Sequence, residues 1–293
     1  MAEEVSLKEM QQIGLEGLLL FRDICEKYKL RYFLAYGTLL GAIRHKGFIP
    51  WDDDVDILMP REDYKRFLSV SKKEENSAWE ILSYERDEGY WLPWAKMCNK
   101  RTMILPSRFH SGRIYGVSID IFPLDFFEVG TIEELKQIRS SLMKEYLRKV
   151  QMLQPYAMIL PGRINRIKGL IKRLYFLTIG KKVGNIPEML KECEKSVPST
   201  ENGTYAMFIH DRARAYWRTD YFMHQPAKSS YATFEGERFC VPDDSDAVLK
   251  AIYGDDYMIP PPPEKRVSVH SYQCLYTNTG EKDGNASSKN RVK

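Results

Sequence analysis

The first part of the chain contains two patterns of apolar and polar positions, one typical of helices and one typical of strands. Stretches with apolar residues three and four positions apart predict amphipathic helices, and short apolar runs bounded by turn residues predict buried strands. The predicted helices cover residues 6–29, 38–43 and 61–73. The predicted strands cover residues 30–35, 54–59, 90–98 and 114–122, with Pro123 closing the last one. This mixture predicts an α+β domain.

The second half has a different pattern. From residue 131 to about 197 the periodicity is helical, interrupted by Pro155, Pro161 and Pro187. A mixed, strand-rich region follows, and then a helix is predicted over 243–254. The chain ends in a polar tail rich in glycine, asparagine and serine, for which disorder is expected. We therefore divide the chain into residues 1–130 as a catalytic core, 131–200 as a helical region facing acceptor or membrane, 201–275 as a C-terminal part completing the cleft, and 276–293 as a disordered tail.

Composition narrows the functional classes. The chain has 293 residues and a net charge of +4, which gives no reason to expect a nucleic-acid partner. Its five cysteines are widely spaced without a CxxC pair, so a reduced, cytoplasmic protein is expected rather than a zinc protein. The sequence has neither a signal-peptide pattern at its start nor an apolar run of about 18 residues that could span a membrane.

The run Trp51-Asp52-Asp53-Asp54-Val55-Asp56 carries the strongest chemical signal. Residues two apart in a strand point to the same face, which places Asp54 and Asp56 together, with Asp52 on the same side and Asp53 turned away. Asp120, in a later apolar strand, is the third carboxylate. Clustered carboxylates repel one another unless a cation lies between them, and Mg²⁺ or Mn²⁺ prefers such oxygen ligands. We predict a metal site formed by Asp54, Asp56 and Asp120.

Two structural explanations compete with a metal site. An acidic run is most often a solvated loop, but here the apolar residues that follow at once draw it into a core. A calcium-binding EF-hand loop is the second alternative, but the acidic run lacks the glycine and the closing glutamate that such a loop requires. The turn at Gly37-Thr38, before the acidic run, supports the functional interpretation, because a glycine turn at a helix start can bind phosphate through its N–H groups.

The segment from Tyr36 to Ile57, which contains both Gly37-Thr38 and the acidic run, closely resembles the LicD family of the nucleotidyltransferase superfamily. Fukutin-related protein is a distant relative in that superfamily. Further similar segments are Gly116–Asp125 and Tyr253–Met258, and the latter is followed by Lys265, Arg266 and His270. The resemblance implies a nucleotidyltransferase-like mixed sheet flanked by helices, with a helical insertion and a C-terminal extension.

The resemblance also implies a reaction. LicD-like proteins transfer phosphocholine from CDP-choline to a hydroxyl of a cell-surface glycan, such as a teichoic acid or lipopolysaccharide precursor, and release CMP; relatives use other CDP-alcohols. Carried over, Asp54, Asp56 and Asp120 would be metal ligands, with Asp120 also the preferred base. Donor phosphates would be held by the backbone or cationic groups of Gly37, Thr38, Arg44, Lys96, Lys265 and Arg266. Candidates to surround the choline cation are the aromatic residues Tyr36, Trp51, Trp91, Trp94 and Tyr115.

Residues 163–182 combine basic and apolar side chains in a pattern typical of either a core helix with a solvated basic face or a helix lying on an anionic membrane. A lipid-linked glycan acceptor would favour peripheral membrane contact at the cytoplasmic face. Two other functions remain open: a nucleotidyltransferase that leaves a nucleotide on its acceptor, and a non-catalytic nucleotide-binding protein. Released CMP supports the phosphotransferase, and released pyrophosphate supports the nucleotidyltransferase.

Overall fold

The computed structural model describes residues 3–87, 90, 92–105, 115–153, 186–200, 203–210, 215–222, 230–266 and 273–277. The basic segment 163–182, Trp91 and His270 lie outside these ranges, as does the tail beyond residue 277. Within the described ranges the chain mixes helices and strands, so the α+β prediction is confirmed.

The helices are α1 Leu7–Tyr28, α2 Tyr36–Arg44, α3 Arg61–Ser71, α4 Ile132–Leu153, α5 Ile186–Lys195 and α6 Ser245–Tyr253. The strands are β1 Phe33–Leu34, β2 Val55–Pro60, β3 Trp79–Leu82, β4 Ala95–Asn99, β5 Thr102–Leu105, β6 Ser118–Phe127, β7 Tyr205–Met207, β8 Trp217–Arg218, β9 Ser230–Phe234, β10 Glu237–Val241 and β11 Gln273–Tyr276.

Local sequence explains why α1 forms where it does. Ser6 and Glu9 form a capping box that satisfies free N–H groups at the helix start. Lys29, in the left-handed conformation, ends the helix. Between them, the apolar face is buried against the sheet. Gly17 lies on this face, where an added Cβ would come within 2.4 Å of the Trp79 ring, so the predicted close packing is confirmed.

The main sheet, as far as the chain is described, has seven strands, and its central order is β1-β2-β6-β4-β3. Strands β2 and β6 are parallel, and the other neighbours in this order are antiparallel. Strand β6 is long because it changes partner along its length: β4 pairs with its first half and β7 with its last residues. The parallel pair lies at the centre of the sheet and brings two of the predicted carboxylates side by side.

The prediction that Pro123 closes a strand is wrong. Strand β6 continues through Pro123 to Phe127. On the side away from β2, the pairing with β4 ends at Ile121 and the pairing with β7 begins at Asp125. Pro123 lies in the gap between those two partners, where a residue without an N–H group is tolerated.

Several strands were not predicted. Strands β3 and β5 have four residues each, too few to show a clear alternation, and β5 pairs with β11, which is far away in sequence. Strand β11 is followed by Thr277, whose N–H donates to the Arg101 carbonyl at 2.9 Å. Residues 276 and 277 of the predicted tail are thus described, and its remaining residues lie outside the described ranges. No helix within the described ranges is long and apolar enough to cross a membrane.

Candidate active site

The acidic run forms a turn and then enters β2. Asp52, Asp53 and Asp54 precede the strand, which begins at Val55. One carboxylate oxygen from each of these three residues lies within 4.8 Å of the other two. The prediction that Asp53 turns away from its neighbours is therefore wrong, because strand alternation does not apply before the strand begins. Gln11 of α1 holds this turn by donating to the Asp52 carbonyl at 2.8 Å.

The structure brings Asp56 and Asp120 together across the parallel strand pair. The two residues are register partners in β2 and β6. Side chains of directly paired residues point to the same face of a sheet. Asp56 and Asp120 are only half-buried, whereas their neighbours Val55, Ile119 and Ile121 are buried on the other face. The paired carboxylates thus lie on a partly open face of the sheet.

The carboxylate of Asp56 is repelled by the other carboxylates around it. Burial raises the pKa of its carboxyl group well above the usual range, and the carboxylates of Asp54, Asp120 and Asp52 raise it further. Lys96 opposes this shift. The four aspartates therefore act on one another as a single cluster of negative charge, and their oxygen atoms suit a hard divalent cation such as Mg²⁺. The chemistry of this set of carboxylates fits the predicted metal.

The Gly37-Thr38 turn contacts the acidic run from the side of α2. The Thr38 hydroxyl is buried and accepts a hydrogen bond from the Asp56 N–H at 2.9 Å. An added Cβ on Gly37 would lie 2.6 Å from Asp52 Oδ2. These residues lie in the first turn of α2, where backbone N–H groups point away from the helix. The structure thus joins the helix start to the carboxylates, as the sequence pattern predicted.

Asp120 has a nitrogen donor on each oxygen atom. Lys96 Nζ bonds to Oδ1, and Trp94 Nε1 donates to Oδ2 at 3.0 Å. Lys96 lies within β4 and is buried. Burial acts to lower the pKa of its ammonium group, but the Asp120 carboxylate outweighs this and the net shift is upward. Lys96 is therefore a charged partner of Asp120 in this structure.

A cationic side of the site lies next to Trp51. The Arg266 guanidinium lies 5.6 Å from the centre of the Trp51 ring, and the His45 ring packs edge-on against the same indole. Arg44 donates to His45 Nε2 at 2.9 Å and to the Tyr257 carbonyl at 2.7 Å. Burial lowers the pKa of His45, and Arg44 and Arg266 lower it further.

The two arginines come from opposite ends of the chain. Arg44 ends α2, and Arg266 follows the short 3-10 turn Pro263–Lys265. Their hydrogen bonds to described residues go to neutral acceptors, and neither forms an ion pair within the described ranges. Lys265, the third predicted cation of this group, is exposed on that turn. The arrangement places positive charge beside the acidic cluster, as a site for a phosphate-bearing ligand requires.

Tyr253 is a site residue that sequence analysis noted only within a similar segment. Its phenol pKa is raised by burial and by the carboxylates of Asp56, Asp52 and Asp54, while Arg44 opposes the shift. The side chain as a whole is still 40% exposed. Its phenol group therefore lies within electrostatic reach of both the carboxylates and Arg44. The sequence shows only that Tyr253 ends a predicted helix, and a single tyrosine there does not indicate a functional role.

The aromatic candidates for choline differ in their surroundings. Tyr115 faces the Lys96 ammonium at 5.0 Å, and Trp51 faces Arg266. Tyr36 packs edge-on against Phe122. Trp94 packs against the same phenylalanine while its indole N–H binds Asp120. Trp51 and Trp94 thus border the cationic side and the carboxylate side of the site, respectively.

Comparison with known proteins agrees with these features. Residues 29–159 match the family described as LicD/FKTN/FKRP, nucleotidyltransferase domain. The chain is 30% identical over 282 residues to the lipopolysaccharide cholinephosphotransferase LicD of Haemophilus influenzae, an alignment that covers 94% of this chain and 99% of that protein. It is also 31% identical over 129 residues to an uncharacterised protein of Rickettsia typhi, which covers 42% of this chain and 38% of that protein. The segment with the acidic run and Asp120 lies within the family match.

Proposed function

The chain belongs to the LicD family, and we propose that it transfers phosphocholine from CDP-choline to a hydroxyl of a cell-surface glycan and releases CMP. The observation that carries the proposal is that two oppositely charged groups of side chains lie near each other, since the carboxylates of Asp52, Asp54 and Asp56 and the guanidinium of Arg44 all act on the phenol of Tyr253. Four aspartates form one side of the site, and Arg44 and Arg266 form the other. A donor with a diphosphate needs both, because its phosphates bind cations and its reaction requires charge neutralisation.

Each side of the site has a proposed task. Asp54 and Asp56, with Asp52 beside them, would hold a Mg²⁺ or Mn²⁺ ion, which would supply neutralisation of the charge that develops on the transferred phosphoryl group. Arg44 and Arg266 bind the donor phosphates, together with the first-turn N–H groups of α2 at Gly37 and Thr38. Lys265 precedes Arg266 in the chain, is exposed, and adds positive charge beside it.

Asp120 is the proposed base. As the acceptor oxygen forms its bond to the phosphorus of phosphocholine, the hydroxyl proton passes to Asp120. The bond between that phosphorus and the oxygen bridging to the nucleotide breaks, and its electron pair leaves with CMP. The aromatic faces of Trp51 and Trp94 are the candidates to contact the trimethylammonium group, which has no hydrogen-bond donor and is recognised by π-systems.

The relative from Haemophilus influenzae is named for lipopolysaccharide as its acceptor. We propose a related, lipid-linked glycan for this chain, with peripheral contact at the cytoplasmic face of an anionic membrane through residues 163–182. Flotation of the protein with vesicles containing anionic lipid tests this contact. Binding that disappears when Lys168, Lys172 and Arg173 are neutralised supports it, and absence of binding by the unmodified protein refutes it.

The reaction is tested by incubation with Mg²⁺ and a panel of CDP-alcohols, with and without candidate glycans. We expect release of CMP that depends on the metal and on the acceptor, with CDP-choline the preferred donor. If another CDP-alcohol is the preferred donor, the proposed type of reaction stands, but the transferred group is not phosphocholine. Release of pyrophosphate from CTP would indicate the alternative nucleotidyltransferase. No turnover with any donor would favour a non-catalytic nucleotide-binding protein.

A further inference from the structure

Three charged side chains form a row across the sheet. Lys96 in β4 is the register partner of Asp120 in β6, and Asp120 is the register partner of Asp56 in β2. Directly paired residues have Cβ atoms about 4.5–5.5 Å apart on the same face. Asp120 therefore lies between a lysine on one side and a carboxylate on the other.

The two donors on Asp120 restrict its orientation. Lys96 binds one oxygen and Trp94 the other, at 3.0 Å for the indole, so rotation of the carboxylate would break at least one of the bonds. Trp94 is itself held in place. Its carbonyl accepts a hydrogen bond from the Tyr90 hydroxyl at 2.8 Å, and its ring packs on Phe122 with the centroids 5.2 Å apart.

Among the described residues, the ammonium group of Lys96 has two partners besides Asp120. Lys96 is 8% exposed, and its ammonium group also bonds to the Ser118 hydroxyl at 3.3 Å and lies 5.0 Å from the centre of the Tyr115 ring. Both of those partners are neutral, so Asp120 is the partner in direct contact with Lys96 that compensates this buried charge. A cation that recruited Asp120 as a ligand would have to displace the lysine. That displacement is costly, because it would leave a charged group buried without its partner.

We propose that Lys96 and Trp94 are positioning residues that orient Asp120 toward the acceptor hydroxyl and keep it out of the cation-binding group of Asp52, Asp54 and Asp56. The inference rests on the proposed function and separates the task of Asp120 within it from that of the other three aspartates. Lys96 then acts through Asp120, rather than through the donor phosphates as the sequence pattern suggested.

A double-mutant cycle on transfer activity tests this assignment. We expect Lys96→Met to lower kcat about 10-fold or more while the KM for the donor changes little, as is usual when a residue supporting a reactive group is lost. Lys96→Arg should restore part of kcat. In an Asp120→Asn background, Lys96→Met should add little further loss, since its partner is already neutral. A raised donor KM, or losses that add fully, would mean that Lys96 binds the donor, and would overturn the inference.

A second measurement needs no substrate. Binding of Mn²⁺ to the purified full chain is followed by electron paramagnetic resonance. Lys96→Met frees Asp120 to join the cation site, so Mn²⁺ should bind about threefold or more tightly than to the unmodified protein. The gain should be absent when Asp120→Asn is added. Unchanged affinity, or an equal gain in the Asn background, would contradict the inference.

The two experiments separate the inference from the proposed function. If the unmodified protein transfers no phosphocholine, the proposed function fails, while the Mn²⁺ measurement still decides whether Lys96 keeps Asp120 apart. Trp94→Phe covers the case in which Lys96→Met does not fold. It preserves the ring packing and removes the N–H donor, and it should change kcat and Mn²⁺ affinity in the same directions by smaller amounts.

Discussion

At the scale of single residues, two glycines of α2 have different roles. Gly37 faces the Asp52 carboxylate, the mobile end of a side chain, whereas Gly41 faces the Gly47 carbonyl at 2.4 Å from an added Cβ. Gly37 therefore leaves room for a functional group, and Gly41 leaves room for backbone.

Alanine at each position should separate these roles. Gly37→Ala should leave the free energy of unfolding nearly unchanged, because Asp52 can move, but it should lower kcat by displacing that carboxylate. Gly41→Ala should cost about 1–3 kcal/mol of stability, because backbone must shift. Urea unfolding and initial rates of CMP release measure both effects. Equal stability losses in the two variants would refute the distinction.

Repulsion at Asp56 gives a prediction about stability. Its pKa is raised in the folded protein, so its charge destabilises the fold when the pH is above the raised value, and stability is gained as the pH falls through it. At neutral pH and without metal, Asp56→Asn should raise the Tm by about 2–4 °C, equivalent to about 1 kcal/mol. The same variant should lose activity and any Tm increase caused by Mg²⁺.

Differential scanning fluorimetry with EDTA and then with Mg²⁺ provides the measurement. Asp23→Asn serves as the matched control, because that aspartate lies on α1 with 66% of its side chain exposed. The control should change neither the Tm nor the response to Mg²⁺. A lower Tm for Asp56→Asn in EDTA would show that the carboxylate stabilises the fold.

At the scale of elements, a buried ion pair joins α3 to β6. Arg61 begins α3, and its guanidinium donates to both oxygens of Asp125 at 2.8 and 2.6 Å. The Asp125 side chain is fully buried and the Arg61 side chain is 12% exposed. Asp125 closes the second segment that resembles the family, yet its contacts identify it as a structural residue that fixes the helix following β2.

Removal of the arginine should be costly. Arg61→Met should lower the free energy of unfolding by about 3–5 kcal/mol, because it leaves a buried carboxylate without its partner. Arg66→Met is the control on the same helix: Arg66 is 57% exposed and pairs with Asp63, which keeps its bond to Arg31. That control should cost less than about 1 kcal/mol. Similar losses in the two variants, measured by urea unfolding, would refute a special role for the Arg61–Asp125 pair.

The sequence predicted helices and strands well where the apolar pattern was long or where capping and turn residues marked its ends. The helix α1 has a capping box and a left-handed end, and α3 starts after Pro60, so their positions follow from local chemistry. The strands β3 and β5 could not be predicted because each is four residues long and is fixed by its partner. The change of partner of β6 around Pro123 could not be predicted either, because it depends on where β4 ends and where β7 begins.

At the scale of the whole molecule, the site is assembled from distant parts of the chain. The carboxylates were predictable because the acidic run leads directly into one apolar strand and Asp120 lies in another. The contacts of Arg44 with Tyr257, of Arg266 with Trp51, and of Lys96 with Asp120 were not predictable, because they join elements that are remote in sequence. Short-range pattern therefore identified the acidic side of the site, and tertiary contacts defined its cationic side.

The most direct test is the mass of a purified glycan acceptor after incubation with the protein, Mg²⁺ and CDP-choline. The proposed function predicts that the acceptor gains one phosphocholine group, that CMP appears in equal amount, and that neither occurs with Asp54→Asn or Asp56→Asn. An acceptor that gains a nucleotide, or phosphocholine transfer that persists in both variants, would contradict it.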